Sequence, residues 1–225
     1  DIINIRIRTV LLDILVLAAH PDDEVLGMGG TIKKLVKQQN KIHLCVVSEG
    51  ASAQYDDKKM IKIRKEACLK SGKILGISTY TFLNFQDMKL DSIPQLEINI
   101  ELEKIIKKLK PKVVYTTPSN DLNKDHQKVF ESTLVVSRAH GNSVKEVLSY
   151  EIPAIIKFAF TPTVYEDIHK EFPTKIKAFK QYKTEIMKFP HPRSIEAIET
   201  LSKFRGMESG LIRAEGFQLI KKIQS

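Results

Sequence analysis

The sequence contains no tryptophan, two cysteines, and few glycines and prolines (10 and 9 among 225 residues). Two cysteines are too few for a disulfide framework or a four-cysteine zinc site, so we expect Cys45 and Cys68 to be buried thiols in a reducing compartment. The low glycine and proline content excludes a fibrous repeat. Because the chain has no stripe of alternating aromatic and basic residues, it lacks the stacking surface that binds single-stranded nucleic acid.

Long apolar runs are also missing, since none approaches the ~18 residues that span a bilayer. After Arg6 and Arg8, an apolar stretch leads toward His20 as in a secretory leader. Asp13 interrupts this stretch, however, and cleavage at its end would remove the strand that precedes His20. We therefore expect a cytoplasmic protein without a membrane span.

The formal net charge is +9, which favours anionic partners in general. The lysines are spread over several predicted helix faces rather than gathered in one patch. We interpret the charge as a solvated surface and expect no nucleic-acid partner, although a phosphate-bearing substrate remains compatible with it.

Short apolar runs alternate with segments of helical periodicity along the first two thirds of the chain. The predicted strands are 14–19, 42–47, 79–83, 113–117 and 146–150, and the predicted helices are 24–39, 58–75, 93–109 and 125–139. This alternation predicts an α/β fold, with a Rossmann-like, doubly wound, mostly parallel sheet and helices on both faces. From about residue 151 the pattern is less regular, with one more strand within 158–165 and helices at 168–182 and 194–205. Because no linker is evident, we expect residues 1–225 to form a single domain.

Polar clusters follow each of the first four predicted strands, at residues 20–24, 48–50, 84–87 and 119–126. In open α/β sheets, ligands bind beyond the carboxyl ends of the strands. Four separate loops are therefore expected to bring polar groups to one rim of the sheet.

The first cluster, His20-Pro21-Asp22-Asp23-Glu24, places an imidazole and three acids where a buried strand ends. Such groups are costly to desolvate unless a cation lies between them. The glycines at 27–30 also fit a nucleotide-binding turn, but dinucleotide spacing requires glycine where Ile32 stands, and the acids would repel a pyrophosphate. We interpret the glycines as space for a helix to pack beside the site.

A metal ion accounts better for the acids. His20 and Asp23 lie three residues apart around a proline-stiffened turn, and His126 supplies a third ligand from the same rim. Two histidines and one carboxylate leave a coordination position open, as catalytic zinc sites do. Asp22 is then free to take a proton from the water that the metal activates, while Glu24 only begins the helix. The ligand types favour Zn²⁺, with Fe²⁺ and Mn²⁺ as alternatives.

These motifs resemble the signature of the LmbE/PIG-L family of metal-dependent N-deacetylases, in its bacterial branch. The resemblance rests on AHPDDE at 19–24 with GMGGT after it, RKEA at 64–67, FLNFQD at 82–87, DLNKDH at 121–126, YEIP at 150–153, PHPRS at 190–194 and AEGF at 214–217. It implies a Rossmann-like fold, zinc, and removal of an N-acetyl group from an amino sugar, sugar nucleotide or glycoside. Matched by position, His20, Asp23 and His126 become the metal ligands and Asp22 the general base.

The resemblance also implies roles for residues outside the ligand set. Arg64 and Asp87 match positions that contact substrate hydroxyls in relatives, and Asp125 is expected to orient its neighbours at the metal. Many relatives carry a histidine where this chain has Asn123, three residues before the second histidine ligand. An amide can donate to an oxyanion but cannot change its charge, so we expect His191 to take the charged role beside Asn123.

Two other functions remain open on the sequence. A metal-dependent phosphoesterase would be favoured by a second metal ion close to the first. A non-catalytic sugar- or nucleotide-binding protein would be favoured by loss of Asp22 or His126, but both are present. Members of the family often assemble, so a homo-oligomer is compatible with the resemblance.

Overall fold

The computed structural model describes residues 11–55, 57, 59–153 and 157–224. The segment with Arg6 and Arg8, considered above as a leader, lies outside the described residues, as does Lys58 at the predicted start of the second helix. Among the residues that are described, no helix is both long and apolar enough to cross a bilayer.

Strands and helices alternate through most of the chain. The strands are β1 (Asp13–Ala18), β2 (Lys41–Ser48), β3 (Thr79–Phe85), β4 (Val113–Thr116), β5 (Glu146–Tyr150), β6 (Val164–Asp167) and β7 (Ala214–Lys222). The helices are α1 (Asp23–Lys37), α2 (Lys59–Leu75), α3 (Gln95–Leu109), α4 (Lys124–Val136), α5 (Phe172–Phe179) and α6 (Ile195–Ser209), with a short 3₁₀ helix at Leu90–Ser92.

The seven strands of the described part form one sheet in the order β3-β2-β1-β4-β5-β7-β6. The pairs among β3, β2, β1, β4 and β5 are parallel, whereas β7 pairs antiparallel with both β5 and β6. The predicted mostly parallel α/β sheet is therefore confirmed. Since β1 pairs with both β2 and β4, the direction of winding reverses between β1 and β4, and the carboxyl ends of these two strands flank the crevice.

The sheet is buried on both faces because its central strands are apolar on both sides. In β1, Ile14, Val16 and Ala18 join one core cluster and Leu15 and Leu17 join the other. The first cluster packs beneath α1, α2 and α5, and the second beneath α3 and α4. This arrangement confirms the doubly wound prediction, in which continuous apolar runs mark strands covered by helices on both faces.

Helix α1 packs closely against the sheet and α5 through its glycines. A side-chain carbon at Gly27 would collide with the ring of Tyr150, and one at Gly30 would collide with Ile168. Both positions are fully buried, so the interpretation of the glycines as packing space is confirmed. The helix is broken at Met28, whose φ of −145° is not helical.

The break in α1 is closed by a buried ion pair from the C-terminal part of the chain. The Glu215 carboxylate accepts hydrogen bonds from Gly30 N at 3.0 Å and Thr31 N at 2.7 Å. Lys175 Nζ donates to Leu26 O at 2.8 Å and lies 2.6 Å from Glu215 Oε1. Together they satisfy the backbone groups that the break would leave unpaired.

The C-terminal third differs most from the sequence-based expectation. No strand is predicted at 214–222, yet β7 inserts between β5 and β6. Its first four residues are buried and the remaining five are half-buried or exposed, so the segment lacks a uniform alternation. Only long-range pairing makes it a strand. The helix predicted at 168–182 is shorter, because a turn at residues 169–171 precedes α5 and Pro173 lies in its first turn, where a proline is tolerated.

Candidate functional site

The predicted rim exists at the carboxyl ends of the parallel strands. His20 follows β1, Glu49 follows β2, Asp87 follows β3, and His126 lies in the first turn of α4, after β4. Asp87 N donates to Glu49 Oε1 at 3.1 Å, and Asp87 Oδ1 lies 3.2 Å from His20 Nε2. Loops from four strands therefore contact one another, with His20 and His126 on either side of the crevice between β1 and β4.

Ligand atoms of His20, Asp23 and His126 form a buried triangle. His20 Nδ1 lies 3.2 Å from His126 Nε2 and 3.6 Å from Asp23 Oδ2, and His126 Nε2 lies 3.3 Å from Asp23 Oδ1. Ligands about 2.0–2.1 Å from a tetrahedral zinc ion are separated by about 3.3 Å, which is close to the distances from His126 Nε2 to His20 Nδ1 and to Asp23 Oδ1. Asp23 Oδ1 is buried without a hydrogen-bond partner in the described part of the chain, as suits an atom that faces a cation.

In each histidine, the ring nitrogen that does not face the triangle contacts a carboxylate. His126 Nδ1 lies 2.6 Å from Asp121 Oδ2, and His20 Nε2 lies 3.1 Å from Asp125 Oδ2. Asp125 is fixed in turn, because it accepts hydrogen bonds from the backbone N–H groups of Met88 and Leu90. Such partners set the tautomer and orientation of a metal-binding histidine. The histidines therefore present Nδ1 of His20 and Nε2 of His126 to the same point.

The charges of the triangle shift the pKa values of its members. Burial by itself lowers the pKa of His126, but the charge of Asp23 and the hydrogen bond with Asp121 outweigh it and raise the pKa to about 9. The pKa of His20 is also raised, because hydrogen bonds to Asp125, Asp23 and Asp87 outweigh its burial. The pKa of Asp23 is held well below its usual range, since the charge of His126 outweighs burial. Without a metal, protons supply the positive charge of this cluster.

Asp22 is completely buried, and neither of its carboxylate oxygens has a hydrogen-bond partner among the described residues. Arg64 Nη2 lies 3.5 Å and Arg193 Nε 3.8 Å from Asp22 Oδ2. Burial raises the pKa of Asp22, and the charges of Arg193 and Arg64 offset part of the shift. Its backbone has φ 118°, a left-handed conformation that costs a non-glycine residue about 1–3 kcal/mol. Strain of this kind persists where the surrounding structure enforces it.

Glu24 begins α1 as expected, but it is completely buried and hydrogen-bonded. Its Oε1 accepts from Tyr182 OH at 2.6 Å, and its Oε2 accepts from Asp22 N at 3.2 Å. Burial raises the pKa of Glu24 to about 8, although the Tyr182 hydrogen bond opposes the shift. Glu24 therefore contacts the residue predicted as the base, which the sequence interpretation did not anticipate.

An open cavity of about 430 Å³ adjoins the triangle, and its lining includes Met88, Leu122, Asn123, His126, His191 and Arg193. A smaller cavity of about 60 Å³ lies beside it, lined in part by His20, Arg64, Asp87, Asn123 and Arg193. Asn123 and Arg193 line both cavities. Of the triangle, His126 lines the larger cavity and His20 the smaller one, so both cavities adjoin the potential ligands.

Asn123 caps α4, since its Oδ1 accepts from Asp125 N at 2.8 Å. Because the oxygen end of the amide is engaged, Nδ2 is the end left to donate to a bound group. His191 lies exposed on the cavity wall, and its Nδ1 accepts from Arg193 N at 3.1 Å. Both predicted residues therefore border the larger cavity.

Arg64 and Asp87, predicted to contact substrate, lie mainly against protein groups. Arg64 is buried, and it donates to the carbonyl oxygens of Pro21 and Gly50. Asp87 lies against His20, and its Oδ2 accepts from Ala53 N at 3.4 Å. Both still line the smaller cavity, so substrate contact remains a prediction for each.

Three residues at the site were not singled out from the sequence: Asp121, Arg193 and Glu185. Asp121 belongs to the same DLNKDH motif as His126, and Arg193 to the same PHPRS motif as His191, so both motifs carried a signal. Glu185 binds Arg193 Nη1 at 2.7 Å and lies 3.5 Å from Arg64 Nη2. No motif marks Glu185, and only the tertiary structure brings it near Asp22.

Known proteins resemble this chain in sequence or in fold. A deacetylase described as uncharacterized, YaiS of Escherichia coli (strain K12), is 32% identical over 180 residues, which cover 76% of this chain and 90% of that protein. The N,N'-diacetylchitobiose deacetylase of Pyrococcus horikoshii is 22% identical, with a TM-score of 0.79, over 93% of this chain and 84% of that one. GalB of Pseudomonas putida KT2440, a 4-carboxy-2-hydroxymuconate hydratase, matches with a TM-score of 0.79 at 20% identity, over 96% and 98% of the two chains. The fold alone therefore does not fix the reaction.

The family whose model matches this chain is more informative about the reaction. It is described as PIG-L, GlcNAc-PI de-N-acetylase, and it matches residues 15–137, the segment that holds His20, Asp22, Asp23, Asn123 and His126. The resemblance read from the motifs is thus confirmed by a match over more than half of the chain. This chain belongs to the PIG-L family of N-deacetylases.

Proposed function

We propose that this protein is a zinc-dependent hydrolase that removes the acetyl group from an N-acetylated amino sugar, sugar nucleotide or glycoside. The observation that carries the proposal is the buried triangle of His20, Asp23 and His126 beside the unpartnered carboxylate of Asp22. The names of the relatives support the substrate class. One solved relative is a diacetylchitobiose deacetylase, and the matching family is described as GlcNAc-PI de-N-acetylase.

His20, Asp23 and His126 would hold the metal ion. When bound, zinc lowers the pKa of water and polarises the amide carbonyl group. Asp22 takes the proton of the attacking water, which its raised pKa and its lack of other partners favour. The same carboxyl group then donates that proton to the leaving amine, so that acetate and a free amine are released.

Side chains at the cavity stabilise the tetrahedral oxyanion. Asn123 Nδ2 donates a hydrogen bond as a neutral group, and His191 on the cavity wall supplies a charged donor when it is protonated. Arg64 and Asp87 border the smaller cavity, where they contact substrate hydroxyl groups. Asp125 orients His20 through its hydrogen bond to Nε2.

The phosphoesterase alternative needs a second metal close to the first. A second group of potential ligands, His20, Asp87 and Asp125, does lie in the described part of the chain. It shares His20 with the first group, however, and a neutral imidazole has only one nitrogen free to bind a metal. The two oxygens of Asp125 also accept backbone hydrogen bonds, so we favour a single metal ion.

Two finer parts of the proposal concern the ion and the compartment. Two nitrogens and one carboxylate suit Zn²⁺, although Fe²⁺ and Mn²⁺ bind the same ligand types. Cys45 and Cys68 are buried and unpaired, which supports a reducing compartment and a cytoplasmic location.

Metal analysis of the purified protein, followed by acetate release from a panel of N-acetylated sugars, nucleotide sugars and glycosides, tests the proposal. We expect one zinc per chain and acetate release from at least one compound, lost after chelation and restored by zinc. Release of phosphate from phosphorylated sugars without release of acetate would favour the phosphoesterase instead.

A further inference from the structure

Asp22 occupies the N-cap position of α1, where an aspartate side chain usually accepts hydrogen bonds from the first turn of the helix. Here its side chain makes no capping hydrogen bond. The backbone is left-handed, with φ 118°, and the carboxylate lies 3.8 Å from Nε of Arg193, a residue that lines both cavities. A general base needs a carboxylate that is free of hydrogen bonds to the protein. The left-handed backbone of Asp22, however, requires a contact that stabilises it.

Glu24 supplies that contact. In a capping box, the N-cap side chain binds the first turn of the helix while an acid of that turn reaches back to the N-cap N–H. In α1 a related contact is made one position earlier, because Oε2 of Glu24, the second residue of the helix, accepts from Asp22 N at 3.2 Å. The backbone of Asp22 is thereby fixed while its carboxylate stays unbound.

Tyr182 holds Glu24 in place from the opposite side. Its hydroxyl donates to Glu24 Oε1 at 2.6 Å, and both side chains are completely buried. Tyr182 follows α5, 158 residues further along the chain, so the contact anchors the start of α1 to the helical layer above it. A buried carboxylate with both oxygens engaged has little freedom to rotate.

The arginines near Asp22 do not fix it in the same way. Arg64 Nη2 and Arg193 Nε approach Asp22 Oδ2 no closer than 3.5 and 3.8 Å, which is beyond hydrogen-bond distance. They contribute charge, whereas the hydrogen bond from the Asp22 N–H sets the backbone geometry.

We propose that Glu24, held by Tyr182, is a positioning residue that keeps Asp22 in its left-handed conformation with a free carboxylate. This inference rests on the proposed role of Asp22 as general base. Glu24 does not touch the substrate; it acts through Asp22 alone. An apolar residue at position 24 therefore misplaces the base, while a residue that still accepts the Asp22 N–H does not.

The test compares E24L with E24Q and Y182F in the zinc-loaded protein. Leucine has similar bulk but no acceptor, whereas glutamine accepts from Asp22 N through its amide oxygen and donates to Tyr182. We expect E24L to lower kcat about 10- to 100-fold, as a misplaced catalytic group does, with KM and zinc content unchanged. E24Q retains most of the wild-type kcat, and Y182F gives an intermediate loss.

A double substitution separates positioning from a general structural role. If Glu24 acts only through Asp22, D22N/E24L has the same residual kcat as D22N. A further loss in the double variant, or loss of zinc from E24L, would overturn the inference. If E24L does not fold, Y182F takes its place, and D22N/Y182F is expected to have the same residual kcat as D22N.

Crystal structures of the wild type, E24L and E24Q provide a readout that does not depend on activity. We expect φ of Asp22 to leave the left-handed region in E24L and to remain there in E24Q. A left-handed Asp22 in E24L with wild-type kcat contradicts the inference. Absence of acetate release by the wild type contradicts the proposed function instead, and the φ comparison then still decides whether Glu24 holds Asp22.

Discussion

His20 Nδ1 lies 3.2 Å from His126 Nε2, although 106 residues separate the two histidines in the chain. Neither ring can turn away, because Asp125 engages the other nitrogen of His20 and Asp121 engages the other nitrogen of His126. Two nitrogen lone pairs aimed at one point repel each other unless a cation lies between them. In the active form that we propose, that cation is a metal ion.

Removing one side of this pair should remove the metal. H126A leaves two ligands of the triangle, so we expect less than a tenth of the wild-type zinc after dialysis and no acetate release. H140A is the matched control, since His140 is exposed and lies beyond α4, away from the triangle. Element analysis by mass spectrometry measures both. Stoichiometric zinc in H126A would show that the ligand set is wrong.

Metal binding should depend on pH, because histidines bind a metal only as neutral imidazoles. The pKa values of His20 and His126 are raised in the metal-free protein, that of His126 to about 9. A raised histidine pKa means that the proton has to leave before the metal binds, so zinc affinity increases as pH increases from about 6.5 to 9. Competition with a chelator across this range measures the affinity. An affinity independent of pH would contradict the protonated state of the cluster.

D22N should separate metal binding from turnover. The amide cannot take a proton from water, and general base catalysis contributes about 10²- to 10⁴-fold, so kcat should fall by that factor. Zinc content should stay at the wild-type level, because Asp22 is not one of the three ligands. D91N, which changes an exposed aspartate in the 3₁₀ helix, controls for the loss of a charge. Wild-type turnover in D22N would falsify the base assignment.

Asp121 is expected to tune the metal through His126. In D121N the oxygen of the amide can still accept from Asn123 N, as Asp121 Oδ1 does at 2.8 Å, but the negative charge beside His126 Nδ1 is lost. Replacing such a partner of a metal-bound histidine typically lowers metal affinity about 10- to 100-fold. Zinc titration of D121N and the wild type against a fluorescent chelator gives the ratio. Equal affinities would mean that Asp121 serves only the loop.

Asn123 combines a cap with a predicted oxyanion donor, and N123S separates the two. Serine also caps helices well, so α4 should keep its stability, which a thermal melt checks. The Nδ2 donor is lost, and removal of an oxyanion donor costs about 10²- to 10³-fold in kcat. A lower melting temperature with unchanged kcat would assign Asn123 to the cap alone.

The central fold could be predicted from the sequence because its signals are local. The apolar run of β1 and the helical spacing after it both follow from the chain's own pattern, and the break at Gly76 ends α2 as expected. The convergence of the polar loops could be predicted as well, since the carboxyl ends of parallel strands meet at one edge of the sheet. These inferences needed no knowledge of which distant residues touch.

Other features depend on tertiary contacts that no local pattern encodes. β7 is a strand because β5 and β6 lie on either side of it. Glu24 resembles an ordinary acid in the first turn of a helix until Tyr182 is placed against it. The contacts of Arg64 could not be predicted either, because its guanidinium group donates to the backbone carbonyl groups of Gly50 and Pro21 in two different loops.

The Glu215 contacts with Gly30 N and Thr31 N also constrain the order in which the molecule assembles. They join groups 185 and 184 residues apart, so the broken helix keeps unpaired amides until β7 has docked. Asp22 is the N-cap of that helix, and Asp23 and Glu24 begin its first turn, ahead of the break at Met28. We therefore expect the reactive carboxylates to reach their final placement late in folding, which limits the time during which a partly formed site could capture stray metal ions.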